Sequence, residues 1–268
     1  MTLNIDPVLF RLGSLQVRWY GLMYVIGFVL GGLIGKKLAR EKFFEITEKQ
    51  VDTFVTYTMV GIFVGARLVY CFVYNPSYYL QNPLEIPAVW HGGLSYHGAI
   101  IGLYFALTLF AKNYRIPNLQ VFDATALMGS QGIFFGRMGN FINGELWGRV
   151  TDVPWGIVFP EGGPLPRHPS QIYEALLEGL LVFILLWILK KRIKIYGLLA
   201  SYYLIFYGIA RFIIEFFREP DVQMGYYLGF LTMGQILCFL MILGGTVLFY
   251  YSLKKNIPIK KVKKSSNK

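Results

Sequence analysis

The segment GRMGNFINGELWGR, residues 136–149, places two arginines, two asparagines and a glutamate directly after an apolar run at 119–135. Ionisable side chains at such a position are costly and usually serve a function. Arginine presents a planar fork of donors that grips phosphate or carboxylate in pairs. Arg137 and Asn140, three residues apart on a continuing helix, are therefore candidates for binding an anion.

Two further stretches carry polar side chains at intervals of three or four residues, which places each set on one face of a helix. An ion-pair network that only fastens helices together is one interpretation. We expect the arginines and the histidine near the outer-leaflet headgroups to be more numerous than helix fastening requires. This surplus favours a cavity that binds a phosphate-bearing lipid. The two sets are Arg211, Glu215 and Arg218, and Gln171, Glu174 and Glu178.

One of the three histidines, His97 in the stretch HGGLSYHG at 91–98, lies near the start of an apolar run. Histidine changes its protonation near neutral pH and often serves as a general base. A hydrogen-bonded core histidine is the open alternative. His91, His97 and His168 lack the spacing of a zinc-binding helix, so the sequence predicts no metal site.

The composition is that of a membrane protein. Hydrophobic residues make up 55% of the chain and charged residues 15%, whereas soluble domains carry about a quarter charged residues. Several nearly uncharged runs approach the ~20 residues that cross about 30 Å of hydrocarbon. The net charge of +11 does not indicate nucleic-acid binding, because the lysines flank apolar runs. No Walker loop or dinucleotide fingerprint points to a nucleotide cofactor.

Seven apolar windows predict an all-α, polytopic integral membrane protein with seven transmembrane helices. With this topology, 18 of the 26 Lys and Arg residues lie on one side, and the other eight are all arginines. Cytoplasmic loops attract lysine and arginine, which predicts an external N-terminus and a cytoplasmic C-terminus. The windows are 20–36, 52–74, 94–111, 119–136, 172–189, 196–217 and 227–251.

Under this topology, polar side chains of six helices lie at one level, that of the outer-leaflet headgroups. We expect a catalytic domain over residues 1–252, with external loops at about 75–92 and 141–171 that could cap a cavity. A basic cytoplasmic tail would follow over 253–268. The six helices contribute Tyr20, Arg67, His97, Arg137, the set at 171–178 and the set at 211–218.

Small residues inside the predicted spans have a packing role. Gly61 and Gly65 lie four residues apart on one helix face, a spacing that favours close approach of a second helix. Cys71 and Cys238 both fall inside apolar windows. We therefore predict that each cysteine is a buried apolar side chain, and not part of a disulfide or a nucleophile.

Five motifs carry a family resemblance, which runs from Trp19 to about Ser252. They are WYGLMY (19–24), HGGLSYHG (91–98), GRMGNFINGELWGR (136–149), RHPSQIYEALLEG (167–179) and RFIIEFFREPD (211–221). Together they resemble the phosphatidylglycerol–prolipoprotein diacylglyceryl transferases of bacteria, and the third motif is that family's signature. Only the basic tail looks individual.

The resemblance implies an enzyme without a cofactor. It would transfer the sn-1,2-diacylglyceryl group of phosphatidylglycerol to the lipobox cysteine of a prolipoprotein, forming a thioether and releasing glycerol 1-phosphate. The implied partners are phosphatidylglycerol, the lipobox peptide and the lipid bilayer, without nucleic acid. The implied location is the bacterial cytoplasmic (inner) membrane, with the active site toward the outer leaflet.

The resemblance also implies residue roles. Arg137 and Arg211 match the arginines assigned to the lipid phosphate, and His97 matches the histidine proposed to activate the thiol. The remaining phosphatidylglycerol-binding positions are Asn140, Tyr20, Glu174 and Glu215. Glu145, Gly148 and Arg218 match further important positions, which we expect to order the structure and its external loop.

A non-enzymatic alternative uses the same arginines. A channel or transporter for an anionic solute or lipid would also place arginine at the outer level. Such a protein requires a polar path to the inner side, and the inner halves of the predicted spans are nearly free of charge. The sequence therefore favours the transferase.

Overall fold

The computed structural model describes residues 1–13, 15–219, 226–227 and 231–259, and the chain is mostly helical. Every apolar window predicted from the sequence overlaps a helix. Two π-helical segments interrupt the α-helices: Tyr70–Tyr74 continues α2, and Ala175–Leu181 joins α6 to α7. The helices are α1 (Trp19–Arg40), α2 (Glu48–Val69), α3 (Pro76–Gln81), α4 (Tyr96–Tyr114), α5 (Asn118–Asn143), α6 (Ser170–Glu174), α7 (Val182–Leu189), α8 (Leu198–Ile214) and α9 (Met233–Lys255).

Four helical stretches in the described part of the chain are long and apolar enough to cross a membrane. Leu198–Ile214 is apolar but shorter. The helical membrane-protein class is therefore supported, while the count of seven spans and the orientation of the termini stay predictions. The four stretches are Trp19–Arg40, Glu48–Tyr74, Ser170–Leu189 and Met233–Lys255.

The structure also contains short strands that the all-helical prediction missed. Strand β1 (Val8–Leu12) pairs antiparallel with β2 (Leu15–Arg18) to form a hairpin immediately before α1. Gly13 takes a left-handed conformation in its turn, with φ +60°. Strands β3 (Tyr226–Tyr227) and β4 (Leu231–Thr232) form a second antiparallel pair. All four strands have at most five residues, too few for a clear alternating pattern.

The described helices belong to two compact units. The first unit comprises Met1–Ile34 and Asp123–Lys260. Within it, the side-chain nitrogen of Gln131 on α5 donates to the carbonyl of Gly27 on α1 at 2.8 Å. A Cβ on Gly208 of α8 would lie 2.8 Å from Ile242 on α9, so that glycine permits close contact of the two helices.

The second unit contains Gly35–Phe122. Helix α2 begins at a capping box in which Thr47 accepts from the backbone of Gln50 and the Gln50 side chain accepts from Thr47. A Cβ on Gly61 would lie 2.5 Å from Ala106 on α4. The prediction that Gly61 serves close helix packing is therefore confirmed, and the same holds for Gly65 against Gly102.

Both cysteines are free and buried, which confirms the prediction that they pack as apolar side chains.

The basic tail is described only at its start. There the backbone N–H of Tyr196 donates to Ile257, and that of Ile259 donates to Lys194, so residues 257–259 pair with the α7–α8 connection. Residues 260–268 of the predicted tail lie outside the described residues, as do Pro220 and Asp221 of the last motif.

Candidate active site

Three helical segments of the first unit bring six ionisable side chains into one buried cluster, which we call the arginine–glutamate cluster. The two sets predicted on single helix faces, apart from Gln171, meet the arginine of the 136–149 segment here. Helix α5 contributes Arg137, the segment from α6 through the π-helical turn contributes Glu174 and Glu178, and α8 with the turn after it contributes Arg211, Glu215 and Arg218.

Glu174 contacts all three arginines of the cluster. Its Oε2 lies 2.9 Å from Nε of Arg137. Its Oε1 accepts from Nη1 of Arg211 at 2.8 Å and from Nη1 of Arg218 at 3.0 Å. The carboxylate is fully buried. Since a carboxylate offers about four lone-pair sites, one side chain can hold three guanidinium groups in fixed positions.

Glu178 is the second fully buried carboxylate. Its oxygens lie 3.5 Å from Nη2 of Arg137 and 3.6 Å from Nη1 of Arg211. The neighbouring Gly179 allows α5 to approach, because a Cβ there would lie 2.5 Å from the backbone nitrogen of Phe134. The glycine therefore lets the π-helical segment present Glu178 to the arginine of α5.

Glu215 joins the cluster to the start of α9. Its Oε2 lies 3.0 Å from Nη2 of Arg211, and its Oε1 accepts from the hydroxyl of Thr232 at 2.9 Å. A Cβ on Gly234 would overlap Oε1 of this carboxylate, so a larger residue there would displace the Glu215 side chain. Sequence reasoning missed Thr232. The signal was present, because Thr232 and Gln235 form the T-x-x-Q pattern of a capping box.

The cluster contains three arginines and three glutamates, so its formal charges cancel. Within this cluster the arginines do not outnumber the glutamates, and the expected surplus of arginine and histidine across the outer level stays a prediction. Exposure is nevertheless uneven: the three arginine side chains are 20%, 15% and 11% exposed, whereas the glutamates are between 0% and 7% exposed. An arriving anion would meet guanidinium N–H groups whose positions are fixed by carboxylates behind them.

Polar side chains of the 136–149 segment form a second group around Glu145. Its Oε1 accepts from the amide of Asn140 at 2.8 Å and from that of Asn143 at 3.2 Å. Its carbonyl accepts from the buried side chain of Gln171 at 2.6 Å. The hydroxyl of Tyr20 lies 2.9 Å from that of Tyr24, and Tyr20 also contacts Asn140. Asn140 and Glu145, which the sequence analysis assigned to different roles, are therefore directly bonded.

The loop after α5 is fastened to the end of α8 by backbone contacts and two arginines. The N–H of Gly148 donates to His168 at 2.9 Å, and a Cβ at Gly148 would overlap the carbonyl of Phe217. Nε of Arg149 donates to the carbonyl of Arg218 at 2.8 Å. Arg167 donates to two loop carbonyls and to Glu219. These contacts fix the position of Arg218, whose guanidinium is the third in the cluster.

Arg67, in the second unit, has a different environment from the cluster arginines. It is 4% exposed and all of its nitrogens donate to backbone carbonyls of the segment that follows α3. Its guanidinium also lies 5.0 Å from the ring centre of Tyr79. The five donors of an arginine are thus used within the loop. The carbonyls belong to Glu85, Ile86, Ala88, Gly92 and Gly93.

None of the three histidines takes part in the arginine–glutamate contacts described above. His97 is exposed at the start of α4, and its Nδ1 lies 3.2 Å from the hydroxyl of Tyr74. His91 pairs with Glu85 at 2.8 Å. Partial burial lowers the pKa of His168, against a smaller opposing effect of Asp152. In the described part of the chain, no three His, Cys, Asp or Glu side chains are grouped as metal ligands.

An apolar recess of about 310 Å³ lies beside the cluster in the first unit. Its lining includes Tyr173, Ile214 and Phe217, which are the immediate sequence neighbours of three cluster residues. The hydroxyl of Tyr173 accepts from the indole of Trp155 at 2.7 Å and lies 3.2 Å from Nδ1 of His168. Charged and apolar surfaces thus alternate along the same two helical segments.

The sequence was compared with known proteins. Residues 7–251 match the family model described as prolipoprotein diacylglyceryl transferase. The phosphatidylglycerol–prolipoprotein diacylglyceryl transferase of Oleidesulfovibrio alaskensis is 49% identical over 93% of this chain and 94% of its own length. Those of Geobacter sulfurreducens and Brucella anthropi are each 47% identical over 90% of this chain, and over 93% and 90% of their own lengths. This chain belongs to the prolipoprotein diacylglyceryl transferase family.

Proposed function

We propose that this protein transfers the sn-1,2-diacylglyceryl group of phosphatidylglycerol to the cysteine thiol of a prolipoprotein lipobox. The products are a thioether-linked lipoprotein precursor and glycerol 1-phosphate. The observation that carries the proposal is the arginine–glutamate cluster, because its exposed side is guanidinium and suits a phosphodiester. Family membership over residues 7–251 supports the same reaction.

The proposal includes an arrangement in the membrane. Seven spans, an external N-terminus and a cytoplasmic C-terminus would put most lysines inside and the arginine–glutamate cluster at the outer leaflet of the bacterial cytoplasmic membrane. Residues 1–252 would form the catalytic domain, with external loops at about 75–92 and 141–171. Residues 253–268 would form the cytoplasmic tail. The four apolar helical stretches support the membrane location.

Arg137 and Arg211 would bind the phosphodiester and stabilise the negative charge that grows on the leaving phosphate. Both already share the carboxylate of Glu174, and Arg211 also pairs with Glu215. Those carboxylates would hold the two guanidinium groups in place. Since the positions are set before the lipid arrives, little reorganisation is required at the moment of reaction.

Asn140 and Tyr20 would contribute neutral hydrogen bonds to the lipid, supported by their contact with each other. Glu145 would orient Asn140, to which it is bonded. Gly148 and Arg218 would order the loop, because the N–H of Gly148 bonds His168 and the carbonyl of Arg218 accepts from Arg149. Arg218 would also reinforce Glu174.

The chemical step requires a thiolate, and a free thiol ionises only near pKa ~8.5. We propose His97 as the base that accepts the thiol proton. The sulfur then forms a bond to C3 of the diacylglycerol moiety while the C3–O bond to phosphate breaks, and the electron pair leaves with glycerol 1-phosphate. The exposure of His97 at the start of α4 is compatible with this role.

The reaction is tested with purified protein, phosphatidylglycerol and a synthetic lipobox peptide. We expect a mass gain on the peptide equal to one diacylglyceryl group and the release of one glycerol 1-phosphate. A peptide with Cys→Ser should gain nothing. Lipid or anion movement across vesicles, with no modified peptide, would contradict the proposal and support a transporter.

The role of His97 has its own test. His97→Asn keeps a polar side chain but removes the base, so transfer should fall across about pH 6 to 9. His91→Asn is the matched control, because that ring pairs with Glu85 in the loop. Unchanged transfer by His97→Asn over this range would assign thiol activation to another group.

A further inference from the structure

Asp123 is a fully buried carboxyl group near the start of α5 that has no part in the proposed reaction. Its Oδ2 accepts from the backbone N–H of Gly197 at 2.8 Å, and its Oδ1 accepts from that of Ala200 at 2.8 Å. Gly197 is the N-cap of α8, with φ +95°, and has no side chain to bond the first turn. Helix α5 therefore supplies the cap that α8 lacks.

The two helices have equal spacing from this contact to the arginine–glutamate cluster. Arg137 lies fourteen residues after Asp123 on α5, and Arg211 lies fourteen residues after Gly197 on α8. Both intervals are continuous α-helix beyond their first residue. Fourteen residues span about 21 Å and end about 40° short of four full turns. Each arginine thus returns to nearly the same helix face as the capping contact.

The arginines at the far ends meet on a single carboxylate. Glu174 lies 2.9 Å from Arg137 and 2.8 Å from Arg211. A slip of one residue between the helices would shift one arginine by about 1.5 Å along the axis. Such a shift is half the length of these contacts, so the shared ion pair depends on the relative height of the helices.

We propose that Asp123 is a positioning residue, which sets the axial register of α5 and α8 so that Arg137 and Arg211 reach the phosphate together. Its effect on transfer rests on the proposed function, whereas its effect on helix register does not. A plain stabilising cap is the competing explanation. Thr47 provides the matched control, because it caps α2 by accepting from Gln50 and belongs to the second unit, whereas the cluster belongs to the first.

The first experiment compares Asp123→Asn, Asp123→Ala and Thr47→Ala for transfer and for thermal unfolding in detergent. Asparagine keeps one acceptor oxygen, so we expect roughly tenfold lower kcat/KM for Asp123→Asn and about a hundredfold for Asp123→Ala. Thr47→Ala should lower the unfolding temperature with less than a twofold loss of transfer. If the Asp123 variants and Thr47→Ala lose equal amounts of transfer activity when they lose equal amounts of stability, the proposal is overturned.

A double-mutant cycle provides a readout that a purely structural role would not move. In an Arg211→Lys background the guanidinium fork is gone, so Asp123→Asn should cost less than threefold in kcat/KM instead of tenfold. If Asp123→Asn lowers kcat/KM tenfold in both the wild-type and the Arg211→Lys backgrounds, the proposal is overturned. The two effects would then be additive, as expected for independent sites about 20 Å apart.

Spin labels test register without any activity. Gly129 on α5 and Ile209 on α8 are exposed, and both native cysteines are buried. In a Gly129→Cys/Ile209→Cys protein, we expect Asp123→Asn to shift or broaden the nitroxide distance distribution, and Thr47→Ala to leave it unchanged. An unchanged distribution in Asp123→Asn would overturn the proposal. Absence of transfer by the wild-type protein would instead contradict the proposed function.

Discussion

Six arginines of this protein fall into two groups that differ in what they bind. Those of the arginine–glutamate cluster bind buried carboxylates and keep part of the side chain exposed. The others, here called the carbonyl-bound arginines, donate mainly to backbone carbonyls of loops. The first group is Arg137, Arg211 and Arg218, and the second is Arg67, Arg149 and Arg167.

We propose that this difference separates arginines that bind substrate from arginines that only fasten the fold. Arg67 uses its five donors on loop carbonyls and has no capacity left for a substrate. Arg137 forms ion pairs with Glu174 and Glu178 through Nε and Nη2, and its side chain remains 20% exposed. Under the proposed function, an arginine of this protein belongs to the substrate site only where carboxylates hold its guanidinium from behind.

Glu174→Gln should have the largest effect on stability. Removing one member of a buried, shared ion pair leaves three guanidinium groups undercompensated, at a cost of about 3–5 kcal/mol. Denaturant unfolding in detergent measures the loss. Glu219→Gln is the control, because its side chain is 44% exposed beside Arg167, and such pairs contribute about 0–1 kcal/mol. Equal losses in the two variants would remove the distinction between the groups.

Arg211→Lys should have the largest effect on transfer. Lysine keeps the charge but cannot bond Glu174, Glu215 and a phosphate from one planar fork. We expect kcat/KM to fall by about 10²–10³-fold. Arg18→Lys on the exposed hairpin is the control and should transfer normally. Retained transfer in Arg211→Lys would show that charge alone suffices at this position.

Arg67→Lys should loosen a loop and spare most of the transfer activity. One ammonium group cannot reach five separate carbonyls, and we expect a stability loss of about 2 kcal/mol. Hydrogen exchange should rise in peptides that cover residues 83–93. Arg40→Lys, an exposed position on α1, is the control. A loss of transfer as large as that of Arg211→Lys would place Arg67 among the substrate-binding groups.

Arg149→Lys tests the boundary between the groups with the smallest expected effect. Arg149 bonds the backbone of a cluster arginine through a single Nε contact to Arg218. Loss of one such hydrogen bond costs about 1 kcal/mol, which corresponds to about fivefold in rate if it is expressed in the transition state. Steady-state kinetics across phosphatidylglycerol concentrations measures it. A hundredfold loss would make Arg149 part of the site.

The sequence predicted the helices well, because their apolar runs are long and each run overlaps a helix. It also predicted which faces carry Arg211 with Glu215 and Glu174 with Glu178, since helical spacing alone determines that. The hairpin before α1 was missed, because its strands contain only five and four residues. The π-helical segment at Ala175–Leu181 was missed as well, because no spacing rule distinguishes it from an α-helix.

The partners of individual side chains could not be predicted from the sequence. The bond between Asn140 and Glu145 depends on the turn that follows α5, where Leu146 takes a left-handed conformation, with φ +58°. The balance of three arginines against three glutamates also required the structure. Composition gave the number of arginines, whereas their division between carboxylates and carbonyls depends on how the loops fold.

The equal intervals on α5 and α8 restrict how these helices can change in length. A one-residue deletion between Asp123 and Arg137 would draw that arginine back by about 1.5 Å and turn it by about 100°. The same deletion in α8, between Gly197 and Arg211, would restore the equal height of the two arginines, but each would still be turned by about 100° from the face that meets Glu174. Insertions and deletions of one residue in these intervals should therefore be rejected, both singly and as a pair.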